Sequence, residues 1–390
     1  MLGVGIGASE DAEAESAGRH AAAAALDELS RSGLGAAALV IVYSSVRYDL
    51  PTLLRAVRQV TGEVPLVGST SAGHLYRDEL MPPGHGVVVL ALSAGPYRFG
   101  VASVTGLGED SCAAGRELVR AARAGLGAGR GPYAAVLVLT DGLTGDQQAL
   151  LNGVHRVAGA AVPVIGGVAG DDRNLTGTFV FHGDRVLSDA AVAVWIESPR
   201  PLQINYGHGW RAEGLPLLVT GVDGTVIKEI AGRSAVEVLR EHFRDDRLDV
   251  LFGSVRSSAN HSAHAFGVIE PDGRLLVRGA FLDGPDTVRT FAPLPLYSAI
   301  QVVSCRQDDL LDVGERVVER ISAGPDVSVV LLFSCVARFD ILAERFREEA
   351  ARIQAAAGGV PVFGFHTYGE FARTGGVSGY HNATVAAIAL

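Results

Sequence analysis

Apolar positions along this chain fall in short unbroken runs, and the runs recur. LVIVYSS begins at Leu39, VLVLTDG at Val136 and VVLLFSC at Val329. Runs of this length, closed by Ser, Asp, Gly or Cys, predict strands buried on both faces. Each is followed by a segment with apolar residues near i, i+3, i+4 and i+7: LPTLLRAVRQV, QQALLNGVHRV and DILAERFREEAARI. That period predicts helices with one buried face. A shared phrase then closes each segment: VPLVGSTSAGH from Val64, VPVIGGVAGDD from Val162 and VPVFGFHTYGE from Val360.

The likeness extends outward. GVGIG, FGVASV and IQVVS predict a strand before each unit, followed by helices over Glu15 to Leu29, Cys112 to Ala124 and Leu311 to Ile321. VVVLALS from Val87, DAAVAVWIES from Asp189 and NATVAAIAL from Asn382 predict a closing strand. The chain therefore reads as three β-α-β-α-β-β repeats, over about 2–95, 98–198 and 298–390. Between the second and third lies a different stretch, 200–297, with Asp223-Gly224 and Asp272-Gly273 each flanked by β-rich runs, a strong hairpin signal. The expected architecture is α/β (α+β): mixed β-sheets covered by helices, in two domains. Residues 1–215 hold two repeats; residues 216–390 hold the hairpin-rich insert and the third.

Composition narrows the function classes. Hydrophobic residues are 48% and charged ones 19% of 390 residues, which excludes a disordered chain. The net charge of -10 argues against nucleic-acid binding, which needs a basic face. Glycine, at 49 residues, is well above the usual share of ~7% and marks turns and close backbone approaches. The three cysteines, Cys112, Cys305 and Cys335, form no CxxC pair and fit a reducing compartment. The first residues lack a signal-peptide pattern and no run reaches the length of a membrane helix, so the expected location is cytoplasmic.

The chemistry-bearing residues gather where strands give way to loops, the usual place for a ligand in α/β layers. In the third repeat these are Ser334, Cys335, Arg338, His366, Tyr368, Glu370, His381, Asn382 and Thr384. Arg338 offers a planar fork for a carboxylate and Glu370 an acceptor for an ammonium, the pairing that an amino-acid-like ligand needs. The alternative is that these two simply pair with each other. The first two repeats offer Ser44, Ser45, Arg47, Tyr48, Ser69 and Ser71, then Asp141, Asp171, Asp172 and Arg173. Asp171 and Asp172 read more simply as solvated loop carboxylates.

Enzyme signatures are weak. GSTSAG (68–73) has Ser69 where a nucleophile elbow needs glycine, so Ser71 reads as an ordinary hydroxyl, with no assignable His or acid. GVGIGAS (3–9) lacks the third glycine of a dinucleotide fingerprint. Cys335 near His366 or His381 is an alternative nucleophile, although a buried strand-end thiol is the commoner fate. His261 and His264 lack a third ligand for zinc, and no metal site is expected. Without CxxCH, haem could bind only through a side chain such as His366, with His381, His208 and His182 as alternatives.

The phrases VYSSVRYDLPTLL, PLVGSTSAG, VIGGVAGDD, LLFSCVARF, VFGFHTYGEF and YHNATV resemble the FIST family, named for F-box and intracellular signal transduction proteins. The resemblance spans about 35–215 for an N-terminal FIST domain and 220–375 for a C-terminal one. Ala337 departs from the glycine often found between the Cys and Arg of this loop. The resemblance implies a sensory module, not an enzyme, that binds small molecules such as amino acids. It also implies a signalling partner such as a histidine kinase or cyclic-dinucleotide enzyme. A haem-binding nitric oxide sensor is the alternative that it carries. On this reading the ligand contacts are Arg338, Glu370, Cys335, Tyr368, His366, His381, Asn382, Ser69, Ser71 and Asp171, with no cofactor required.

Overall fold

The structure is a computed structural model that describes residues 1–127, 131–242, 264–282, 286–324, 326–374 and 379–390. Asp245, Asp246, His261 and most of the 254–264 stretch lie outside the described residues, as does the side chain of His264.

Three mixed sheets covered by helices form the body of the molecule. The first repeat supplies β1 (Val4–Ser9), α1 (Ala14–Ser32), β2 (Ala37–Ser44), α2 (Leu50–Thr61), β3 (Leu66–Thr70), β4 (His74–Tyr76), β5 (Glu79–Met81) and β6 (Val87–Ser93). The second follows the same order: β7 (Arg98–Thr105), α3 (Leu107–Ala124), β8 (Tyr133–Thr140), α4 (Gln147–Ala158), β9 (Val164–Val168), β10 (Val180–His182), β11 (Arg185–Leu187) and β12 (Ala190–Ser198). The third opens with β13 (Gln203–Gly207). After an insert it resumes with α6 (Gln307–Ser322), β22 (Val330–Cys335), α7 (Val336–Leu342), α8 (Phe346–Ala356), β23 (Val362–Thr367), β24 (Glu370–Arg373), β25 (Tyr380–His381) and β26 (Val385–Ala389). Asp49 and Asp146 start α2 and α4 by accepting from Thr52 N at 2.8 Å and Ala149 N at 2.9 Å.

Unbroken apolar runs are explained by two-sided burial. Leu39, Ile41 and Tyr43 of β2, Leu137 and Leu139 of β8, and Leu331 and Phe333 of β22 all join one central core shared by the three sheets. Their neighbours face outward, each set onto its own helices: Val40 and Val42, Val136 and Val138, Val330 and Leu332. The shared glycine of the VPxxG phrase has a steric cause. A Cβ at Gly68, Gly166 or Gly364 would lie 2.0, 1.9 or 2.2 Å from the carbonyl oxygen of Val42, Val138 or Leu332 on the neighbouring strand.

Two features differ from the sequence expectation. First, each repeat holds a short hairpin before its closing strand, and gives it away. β4–β5 pairs with β23 of the third repeat, β10–β11 with β3 of the first, and β24–β25 with β9 of the second. The exchange closes a ring and covers one edge of each of these three sheets. These strands are only two to four residues long and lack a run that sequence periodicity detects. Second, IQVVS is not the first strand of the third repeat. That place belongs to β13, which pairs antiparallel with β26 as β1 does with β6 and β7 with β12.

IQVVS instead lies in β21 (Ala299–Ser304), in the centre of a fourth sheet built by the insert. Its other elements are β14 (Arg211–Asp223), β15 (Val226–Ile230), β16 (Arg233–Ser234), α5 (Ala235–His242), β17 (His264–Ile269), β18 (Leu275–Arg278), β19 (Ala280–Leu282) and β20 (Val288–Thr290). Both Asp-Gly hairpins form, joining β14 to β15 and β17 to β18. Residues 215 and 216, the expected domain boundary, fall inside β14. The insert thus enters between the first strand and first helix of the third repeat. Val219, Ile227, Leu239 and Ile300 anchor its own core, while Trp210, Val277 and Val303 pack on Leu310, Cys335, Ala337 and Ala383 of that repeat.

Candidate functional site

The three repeated phrases end in loops that meet. Gly170 N donates to Thr70 O at 3.2 Å, Ala72 N to His366 O at 2.9 Å and Tyr368 N to Val168 O at 3.0 Å. Ser69, Ser71, Asp171, His366, Tyr368 and Glu370 therefore occupy one convergence point, while Cys335, Arg338, His381 and Asn382 border it in the third repeat. All ten expected contact residues are buried or nearly so.

Burial forces each polar group to find a partner, and those partners decide its role. Arg338 is fully buried and forms no ion pair with Glu370, and its Nη1 is left without a partner. Its guanidinium meets Glu349 of α8, with Nε donating to Oε1 at 2.7 Å, and Nη2 donates to Leu310 O at 2.8 Å. Burial alone would raise the Glu349 carboxyl, but Arg338 and His366 outweigh it and hold it down at about 2. An ionised Glu349 can only accept, so His366 Nε2, 3.4 Å from Oε2, carries the proton. Ser334 donates to the same carboxylate at 3.3 Å. Glu349 gave no sequence signal, since it sits in an ordinary charged helix pattern.

Glu370 lies elsewhere, at the start of the hairpin given to the second repeat. It accepts from the Thr367 hydroxyl and from Thr384 N at 3.3 Å. Among the described residues no cation pairs with it. Burial pushes its carboxyl up to about 8. Cys335 beside it is pushed well up, first by burial and then by Glu370, so the thiol stays protonated. Asn382 Nδ2 donates to His381 O at 3.2 Å, while its Oδ1 is buried without a partner. Burial lowers His381 to about 3, and its neutral ring donates from Nε2 to Ala372 O at 3.0 Å.

The remaining groups belong to the first two repeats. Asp171 is fully buried, not solvated. It accepts from Leu175 N at 2.9 Å, Thr176 N at 2.6 Å, Gly177 N at 3.0 Å and the Tyr368 hydroxyl. Asp172 is likewise engaged, by the Ser45 hydroxyl at 2.6 Å, Val46 N at 2.9 Å and Gly84 N at 2.8 Å. Ser69 points its hydroxyl into the apolar centre without a partner, opposite Tyr43, whose hydroxyl is also unpaired.

Ser71 does have a histidine, which sequence spacing missed. His74 Nδ1 accepts its hydroxyl at 3.0 Å, and Nε2 donates to Gly86 O at 3.2 Å. Burial and His366 lower His74 to about 4, so it is neutral at pH 7. The register explains the pair: His74 opposes Phe365 as Glu370 opposes Gly167, so Ser71–His74 and Thr367–Glu370 are one hydroxyl-to-ionisable contact in two copies. No carboxylate orients His74, and both side chains are fully buried, so the pair fastens a hairpin.

The imidazoles do not fit haem. His366 Nε2 faces Glu349, and its Nδ1 lies 3.4 Å from where a Cβ on Gly73 would stand, leaving no width for a macrocycle. The His381 ring packs on Tyr206 with centroids 4.6 Å apart. His208 Nδ1 accepts from Trp210 N at 2.9 Å, and His182 Nδ1 meets Ser103 Oγ at 2.7 Å. Among the described residues no group of three His, Cys, Asp or Glu side chains is placed to hold a metal ion. Nor is any described helix long and apolar enough to cross a membrane.

The FIST N domain matches residues 38–233 and the FIST C domain residues 235–373. This chain belongs to the FIST family. An uncharacterized protein of Mycobacterium tuberculosis is 25% identical over 98% of this FIST chain and 97% of its own length. One from Mycobacterium bovis is 26% identical over 57% and 58%, and one from Methanocaldococcus jannaschii 26% over 31% and 25%. Among solved structures, a cyanuric acid hydrolase from A. caulinodans aligns with a TM-score of 0.37 at 11% identity over 100% of this chain and 99% of that one. A chorismatase aligns with a TM-score of 0.33 at 11% identity over 91% and 92%.

Proposed function

We propose that this FIST chain is a cytoplasmic small-molecule sensor that binds an amino-acid-like ligand and passes the signal to a separate protein, such as a histidine kinase or cyclic-dinucleotide enzyme. Glu370 carries the reading. A buried carboxyl at converging loops, in no ion pair among the described residues, is the kind of group that an incoming ammonium would ionise and pair with. Asn382 Oδ1 is a second acceptor without a partner. Arg338 is already matched in charge by Glu349, with only its Nη1 left without a partner, which makes it a weaker candidate for the ligand than Glu370.

An enzyme reading has less support, because the Cys335 thiol is held protonated and Ser71 is enclosed. Thermal-shift screening of α-amino acids against wild type and Glu370→Gln tests the proposal. Stabilisation of wild type alone supports it. Equal stabilisation of both proteins removes Glu370 from the site.

A further inference from the structure

Arg278 ends β18 in the insert, far in sequence from the third-repeat loops, yet its side chain is only 3% exposed. Its Nη1 donates to Tyr380 O at 2.9 Å and to Val277 O at 3.2 Å. Its Nε is buried without a partner, and among the described residues no carboxylate pairs with it. The guanidinium stands over the Tyr380 ring, 5.7 Å from the centroid. Glu270 and Asp146 act on it through space without forming an ion pair. Two carbonyls and a ring face therefore leave the buried cation short of a paired anion, and an arginine so placed costs stability unless one arrives. Its surroundings are the candidate site: Tyr380 lies under the field of Arg278, Glu370 and Cys335 together and meets the Asn382 side chain.

We propose that Arg278 is the anchor for the carboxylate of the ligand, so that the binding site is shared between the insert and the third repeat. The inference rests on the sensor reading above and gives the ligand class as a small monocarboxylate, with any amine directed to Glu370. A planar fork with an unused Nε suits a carboxylate oxygen. Since Arg278 belongs to the fourth sheet and Glu370 to the ring of repeats, a ligand touching both joins the two bodies. The insert is thereby the element that senses occupancy.

The test uses the full chain and three acid–amide pairs: acetate and acetamide, propionate and propionamide, glycine and glycinamide. Calorimetry is expected to give each acid at least tenfold tighter binding than its amide. Arg278→Met is expected to abolish that preference. Arg278→Lys, which keeps the charge and serves if the methionine variant does not fold, is expected to weaken acids about tenfold and leave amides unchanged. Equal binding of acids and amides, or a preference surviving in Arg278→Met, overturns the anchor; the sensor reading then stands if glycine still depends on Glu370. Acids favoured through Arg278 with glycine no tighter than acetate support the anchor and overturn the amino-acid reading. No acid binding at millimolar concentration overturns both.

Discussion

Arg338 and Glu349 form an ion pair with both side chains fully buried, N to O 2.6 Å. It connects α7 to α8 beneath the third-repeat loops and leaves Glu370, four residues after His366, without that arginine. One buried carboxyl therefore serves the fold as an anion, while the other holds its proton at the converging loops.

Removing one half of that pair should be costly. Glu349→Ala strands the Arg338 cation and is expected to lose about 3–5 kcal/mol, read from urea unfolding. Glu349 is held below its ordinary value, at about 2. Its contribution is therefore complete above about 4.5 and lost as pH falls towards 2. Unfolding curves of wild type and Glu349→Gln should converge across that window. Parallel curves would place the pair's contribution elsewhere.

Glu370 has the opposite sign. Its folded value of about 8 exceeds the ordinary 4.5, so the folded state holds the extra proton between them and loses stability as pH rises through that interval. Thr367, Thr384, Cys335, Tyr380 and Arg338 are the groups around it. Glu370→Gln should flatten the decline and be the more stable protein at pH 8. Ammonium ligands should bind tighter as pH rises to about 8, and calorimetry at pH 6.5 and 8.5 reads this.

Thiol chemistry discriminates the sensor from a cysteine enzyme. Cys335 is pushed well up by burial and Glu370, and burial pushes Cys305 to about 12. Cys112 is half-buried. Iodoacetamide on native protein should label Cys112 first, by mass spectrometry. Rapid labelling of Cys335 would restore the nucleophile reading.

The exchanged hairpins predict interdependence of the repeats. A fragment of residues 1–200 leaves β4–β5 without β23 and β9 without β24. It should show no cooperative melt, whereas a cooperative melt would mean the first two repeats close alone. Gly68→Ala in the full chain, with its Cβ 2.0 Å from Val42 O, should cost roughly 1–3 kcal/mol as an overpacked contact.

Local chemistry made much of this legible in the sequence. Apolar runs with period-3.6 segments between them specified strands and helices, and VPxxG marked a glycine that no other residue can replace against the adjacent carbonyl. Both Asp-Gly hairpins followed from turn preference alone. What only the tertiary structure decided are matters of partnership across long sequence separations. IQVVS is as β-prone as any first strand, yet β13 takes that place because register with β26, not propensity, selects it. In the sequence Arg338 is one cation among many, and Glu349 and Glu370 are indistinguishable carboxylates. Burial and neighbours keep one pair ionised at neutral pH, leave the third holding its proton, and bring Arg278 onto Tyr380 of the same repeat from an insert that the sequence set apart.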